Sequence, residues 1–121
     1  MRPRMPLVII GCALLASVAD ASADEVVGKW KRPNGTIAEV YGCDGKLCGK
    51  VITGDPADFE MFHGMTRVGP AQWQGSEMKH PGMPTFMTFN GTVTLSGDTL
   101  NVKGCAVGQA MCDAETWTRV H

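Results

Sequence analysis

Two cysteines bracket an Asp-Gly turn in the stretch Gly42-Cys43-Asp44-Gly45-Lys46-Leu47-Cys48-Gly49. The flanking runs, Thr36–Gly42 and Leu47–Thr53, are apolar and strand-like. Asp-Gly between such runs is the strongest short-range hairpin signal, because Gly takes positive φ without a steric clash. Two registers fit. If Asp44-Gly45 form a two-residue loop, Glu39 faces Lys50, Ile37 faces Ile52, and the cysteines lie on a diagonal. If the loop runs from Asp44 to Leu47, Cys43 and Cys48 stand directly opposite. The registers differ by two residues and so share their faces. In both, Ala38, Val40 and Gly42 lie on one side with Leu47, Gly49 and Val51, and that small apolar side is the expected interior. The cysteine pair itself reads three ways: a cross-strand staple, a metal knuckle or a redox pair.

The N-terminus bears on that choice. Arg2 and Arg4 precede an apolar run from Met5 to Ala19, and Ala21-Ser22-Ala23 fits a small-x-small cleavage site before Asp24-Glu25. This is the layout of a secretory signal peptide, too short and wrongly flanked for a membrane anchor. Cleavage after Ala23 is expected, leaving residues 24–121 as one exported domain, periplasmic or secreted. The rival, a lipoprotein box at Ile9-Ile10-Gly11-Cys12, would cut the apolar run in half. Four cysteines remain in the domain, Cys43, Cys48, Cys105 and Cys112, and an even count in a short exported chain reads as disulfides. A four-cysteine zinc site is the alternative, but Cys105-x6-Cys112 is too wide for a knuckle. There is no Cys-x-x-Cys redox motif. Local pairing, Cys43–Cys48 and Cys105–Cys112, is preferred among the three connectivities, each bridge worth about 2–2.5 kcal/mol by the chain-entropy model. Beyond the leader, nine Lys or Arg stand against eleven Asp or Glu, with no run of either sign. That patterning recommends neither nucleic acid nor an anionic membrane surface as partner, and no second hydrophobic span exists.

Short strands with Gly, Asn and Asp punctuation follow one another along the domain. Val26–Lys31 reads as the first, and Asn34-Gly35 is a primed-turn signal leading to the hairpin. After Gly54-Asp55-Pro56, the segment Ala57–Met65 lacks alternation and is expected to be a long loop or lid with one helical turn. Gln72–Lys79 is a strand candidate around Trp73, and His80-Pro81-Gly82-Met83-Pro84 is a turn. Thr85–Leu95 is the longest β-prone run, either a hairpin folded at Asn90-Gly91 or one strand with a glycine bulge. Thr99–Gly104 is a strand, Cys105–Cys112 a loop, and Glu115–Val120 the last strand. No amphipathic helix is evident. The pattern argues an all-β fold, a small up-and-down barrel or sandwich of seven or eight strands.

In a closed barrel the first and last strands are neighbours. Gly28-Lys29-Trp30 and Trp117-Thr118-Arg119 would then meet, with Arg119 over an indole. Two core tryptophans and a solvated arginine are the plainer reading. Gly28-x-Trp30 with a late arginine resembles the calycin, or lipocalin-like, signature. More of the chain resembles a family of small exported bacterial proteins known only as domain of unknown function 2147. The matching pieces are Gly28-Lys29-Trp30, Cys43 to Val51, Phe89-Asn90-Gly91-Thr92, Leu100 to Cys105 and Thr116 to Arg119. The resemblance implies a calycin-like barrel with a continuous strand through Asn90-Gly91, and it brings no catalytic residues. The chain departs from that family between Asp55 and Arg67, where the usual Asn-Pro-containing insertion and the Tyr-Asp-Pro turn are missing.

That divergent middle gathers methionines. Met61, Met65, Met78, Met83 and Met87 lie near His63 and His80. Thioether and imidazole groups suit Cu(I), so Met61, His63, Met65, Met78, His80 and Met83 form a candidate copper set. Methionine also fills irregular gaps and lines adaptable apolar surfaces. The leading expectation is a non-enzymatic barrel binding a small apolar or amphipathic ligand at its mouth through Phe59, Phe62, Met65, Trp73 and Met83. Cu(I) or Ag(I) binding is the alternative, and an interaction or inhibitor module acting on an envelope or host protein is a third. Enzyme signals are weak: Ser76 and Ser96 sit in no nucleophile elbow, and Asp55, Asp58 and Glu60 read as solvated loop carboxylates. No cofactor is implied other than possible copper.

Overall fold

The computed structural model describes residues 23–54, 56–84, 86–106 and 110–121. The segment read as a signal peptide lies outside them up to residue 22, as does Asp55 of the lid carboxylates. A short helical turn, α1 (Ala23–Val26), leads into eight strands. These are β1 (Gly28–Lys31), β2 (Ile37–Cys43), β3 (Lys46–Val51), β4 (Phe59–Gly69), β5 (Gln72–Met78), β6 (Phe89–Ser96), β7 (Thr99–Ala106) and β8 (Met111–Arg119). Each pairs antiparallel with the next, and β8 returns to β1 to close the barrel. The fold is the expected all-β up-and-down barrel, with both local disulfides, Cys43–Cys48 and Cys105–Cys112.

The Asp-Gly hairpin takes the two-residue register, Cys43 opposite Lys46 and Glu39 opposite Lys50. Asp44 and Gly45 adopt φ of 54° and 78°, the left-handed pair that a type I′ turn requires. The expected interior face is the observed one: Ala38, Val40, Leu47 and Val51 are all buried. Asn90-Gly91 runs through β6 without turning, pairing Asn90 with Cys105 and Gly91 with Gly104.

Four local expectations are corrected. Ala57–Met65 is no lid, because β4 runs from Phe59 to Gly69. Its period is broken by two bulges against β3: Gly49 pairs Phe62 and Lys50 pairs Glu60, so Met61 is extra, and Gly64 is extra between His63 and Met65. The first added residue puts Met61 and Phe62 on the inside together and the second sets Met65 three residues beyond Phe62, so no alternation is visible in the sequence. Val26 belongs to α1 rather than β1, and its fully buried side chain plugs the barrel end. Cys105 and Cys112 lie inside β7 and β8 as a directly opposed pair, not in a loop. The long run Thr85–Leu95 becomes strand only from Phe89.

The barrel has two unlike ends. At one end α1 covers the interior, with Trp30 Nε1 donating to the Val26 carbonyl at 3.0 Å. The Arg119 guanidinium lies 4.3 Å from the Trp30 ring centre, and its Nη2 donates to the Glu25 carbonyl at 2.6 Å. The loops between β1 and β2, β3 and β4, β5 and β6, and β7 and β8 gather at the opposite end. Between the ends, eight strands leave an interior just wide enough for side chains to fill. Here large residues lie against glycines: Phe62 on Gly49, Met65 on Gly75, and Met78 on Gly91 and Gly104. Phe62 also stacks on Trp117, ring centres 6.4 Å apart. An added Cβ at Gly49 would run into the Phe62 ring, whereas at Gly42 it meets nothing within 4 Å. Gly49→Ala is therefore expected to lower stability by about 1–3 kcal/mol, and Gly42→Ala to change it by less than about 0.5. Urea unfolding followed by tryptophan fluorescence checks both.

Candidate functional site

A pocket of about 210 Å³ opens at the end opposite α1. Met61 of β4, Met78 of β5, Phe89 of β6 and Val102 of β7 supply its apolar lining. His80, Gly82 and Met83 of the β5–β6 connection form one wall, and Asp113 to Glu115 of β8 the other. Its floor follows from the glycines: Met78 lies against Gly91 and Gly104, and that seat limits how deep the pocket runs. Exposed apolar residues extend the surface on the same end of the barrel, Phe86 in the connection and Met111 on the β7–β8 hairpin.

A polar cluster braces the wall. Arg32, 4% exposed, is the buried charged side chain among the described residues. Its Nε and Nη2 donate to both carboxylate oxygens of Glu115, at 3.2 and 3.0 Å, and its Nη1 donates to Thr36 Oγ1 at 3.2 Å. Trp117 Nε1 donates to Glu115 Oε1 at 2.8 Å. His80 joins from the connection: the Gly82 N–H donates to Nδ1 at 3.0 Å, and Nε2 lies 3.0 Å from Glu115 Oε2. With Nδ1 accepting, the proton of the neutral ring is assigned to Nε2, which donates to Glu115. The 3.5 Å approach of Arg32 Nη2 to the same Nε2 is then a contact of two donors, not a hydrogen bond. Burial pushes the Glu115 carboxyl up, but the bonds from Arg32, Trp117 and His80 outweigh it and hold it below the ordinary carboxylate value. The cluster thus pins the β5–β6 connection to β8 and commits both nitrogens of His80.

The residues expected at the mouth separate. Met83 lines the pocket, while Phe62, Met65 and Trp73 are buried in the filled interior and Phe59 packs against that core. For Phe62 and Met65 the reason is the bulged β4 and the glycine seats at Gly49 and Gly75, which turn these side chains into packing. Of the copper set, Met61, Met78, His80 and Met83 meet at the pocket. Met65 points to the seat at Gly75, and His63 lies on the outer surface, its Nδ1 2.8 Å from Glu60 Oε2. Glu60 is held below the ordinary carboxylate value first by His63 and further by the Tyr41 hydroxyl, against a smaller opposing effect of burial. Arg32 and Glu115 were not singled out from the sequence. Their signal is positional: each stands two residues from a core tryptophan, Trp30 or Trp117, and so on the inward face of its strand.

No helix among the described residues is long and apolar enough to cross a membrane. The sequence profile of an uncharacterized protein conserved in bacteria (DUF2147) matches residues 28–119, and the chain belongs to that family. No curated protein and no solved structure matches.

Replacing Glu115 by Gln would leave the buried Arg32 charge without its partner, a change expected to cost about 3 kcal/mol at pH 7. Because the Glu115 carboxyl titrates lower in the folded chain than its ordinary 4.5, its contribution is complete above that value and lost as pH falls through the folded one. Urea midpoints of wild type and Glu115→Gln should therefore converge progressively as pH falls below 4.5.

Proposed function

We propose that this DUF2147 barrel binds a small amphipathic molecule at its open end, as an exported, non-enzymatic protein. The observation that carries the reading is the apolar pocket lined by Met61, Met78, Met83, Phe89 and Val102, with Lys79, His80, Asp113 and Glu115 on its polar side. At about 210 Å³ it is smaller than a drug-sized site but larger than the roughly 150 Å³ cavity that accepts benzene. The size suits one ring or a short alkyl segment, not a whole lipid. The apolar part enters between Met78 and Val102, and the polar part stays at the rim near Asp113. The two disulfides support the exported part of the reading, because such bonds form in an oxidising space.

A second reading, Cu(I) binding, is favoured by the meeting of Met61, Met78 and Met83 at one pocket. It is the weaker one, since His80 has both ring nitrogens engaged and three thioethers would remain.

Native mass spectrometry against C6–C10 carboxylic acids and alkylamines distinguishes these readings. The proposal expects one ligand per chain, bound at least tenfold more weakly by Met83→Asp, which changes a half-exposed residue at the mouth. No bound species across the panel would refute it. Tight Cu(I) binding that is lost in Met83→Ala would transfer the function to the second reading.

A further inference from the structure

On the outer face of β2, β3 and β4, Cys43, Cys48 and His63 bring their ligand atoms within 4.8 Å of one another. The grouping is a product of the bulges in β4. Residues three apart on a regular strand face opposite sides, yet Glu60 and His63 share the outer face because Met61 is an extra residue. Glu60 Oε2 holds Nδ1 of His63 at 2.8 Å and also accepts from the Tyr41 hydroxyl at 3.1 Å. That leaves Nε2 for another partner, the arrangement by which a carboxylate orients a metal-binding histidine. The second bulge residue, Gly64 with φ +84°, turns its backbone N–H to Cys48 Sγ at 3.2 Å.

We propose that this corner is a redox-gated zinc site, closed while the Cys43–Cys48 bridge is intact and formed when a dithiol reduces it. Thiolate attack goes to the sulfur that can be reached, and Cys43 is half-buried where Cys48 is fully buried. The reductant's thiolate bonds to Cys43 Sγ, the sulfur–sulfur bond breaks, and Cys48 leaves as a thiolate. The Gly64 N–H already points at that sulfur and stabilises the charge it acquires. The reductant's second thiol then displaces Cys43, so the reductant ends as a disulfide and the two electrons stay on the two cysteine sulfurs. Zn²⁺ takes both as thiolates, releasing any proton they carry, together with His63 Nε2. Two thiolates and one imidazole leave a fourth position for water or a ligand. The sulfurs must part to about 3.8 Å for tetrahedral zinc, a movement that rotation of Cys43 at the hairpin tip supplies.

Zinc titration of the full chain, before and after reduction with a phosphine and read with a competing chromophoric chelator, tests this. One zinc per reduced chain, none on the oxidised chain, a loss of tenfold or more in His63→Ala and a loss of about tenfold in Glu60→Gln are expected. Absence of zinc binding by the reduced chain would overturn the proposal. Binding of equal strength with and without His63 would overturn it too, including the case in which the reduced chain unfolds and binds through its four free thiols.

Discussion

The barrel depends on the seam where β8 meets β1. The registered pairs there are two, Trp30 with Arg119 and Lys31 with Thr118, whereas β6 and β7 share seven. So short a ladder leaves closure to side chains. Two arginines cross it in opposite directions. Arg119 reaches from β8 over the Trp30 ring toward α1, a cation–π contact worth about 0.5–2 kcal/mol. Arg32 reaches from the end of β1 to Glu115 on β8 with a two-pronged bond that orients both groups. One clamp holds the covered end and the other holds the open end.

The same seam connects fold to site. Glu115 takes hydrogen bonds from Arg32, Trp117 and His80, so one carboxylate joins the barrel closure, the core and the pocket wall. The pocket lies where the core runs out. Glycines at 49, 75, 91 and 104 admit Phe62, Met65 and Met78 across the interior, filling it up to the floor beneath Met61 and Val102. A barrel of eight strands has little more room than that. Packing thus fills the middle of the barrel among the described residues, and the pocket lies at the mouth.

Parts of this were legible in the residues and parts were not. Asp44-Gly45 was, because a type I′ turn needs positive φ at two positions and few residue types allow it. So were the strand faces around it, which no two-residue shift in register alters. Trp30 and Arg119 identified the seam through their places near the two ends of the domain. The strand β4 was not legible: the bulges at Met61 and Gly64 erase the alternation by which strands are read, and the same bulges create the Glu60–His63 pairing. The Arg32–Glu115 clamp was hidden for another reason. Charged residues are ordinarily solvated, and only the tryptophans two residues away mark these as inward-facing. The methionines were visible as a group, but their division between core and mouth is decided by glycines on three other strands.

If the two arginine clamps hold the barrel shut, the short seam opens only when the whole domain unfolds. The backbone amide of Val120, which donates to the Lys29 carbonyl across the seam at 2.9 Å, reports on this directly. Native-state hydrogen exchange at that amide is predicted to proceed with the same opening free energy as the amides of β6 and β7. Exchange by a local opening several kcal/mol less costly than global unfolding would show the seam to be loose, and would contradict the account.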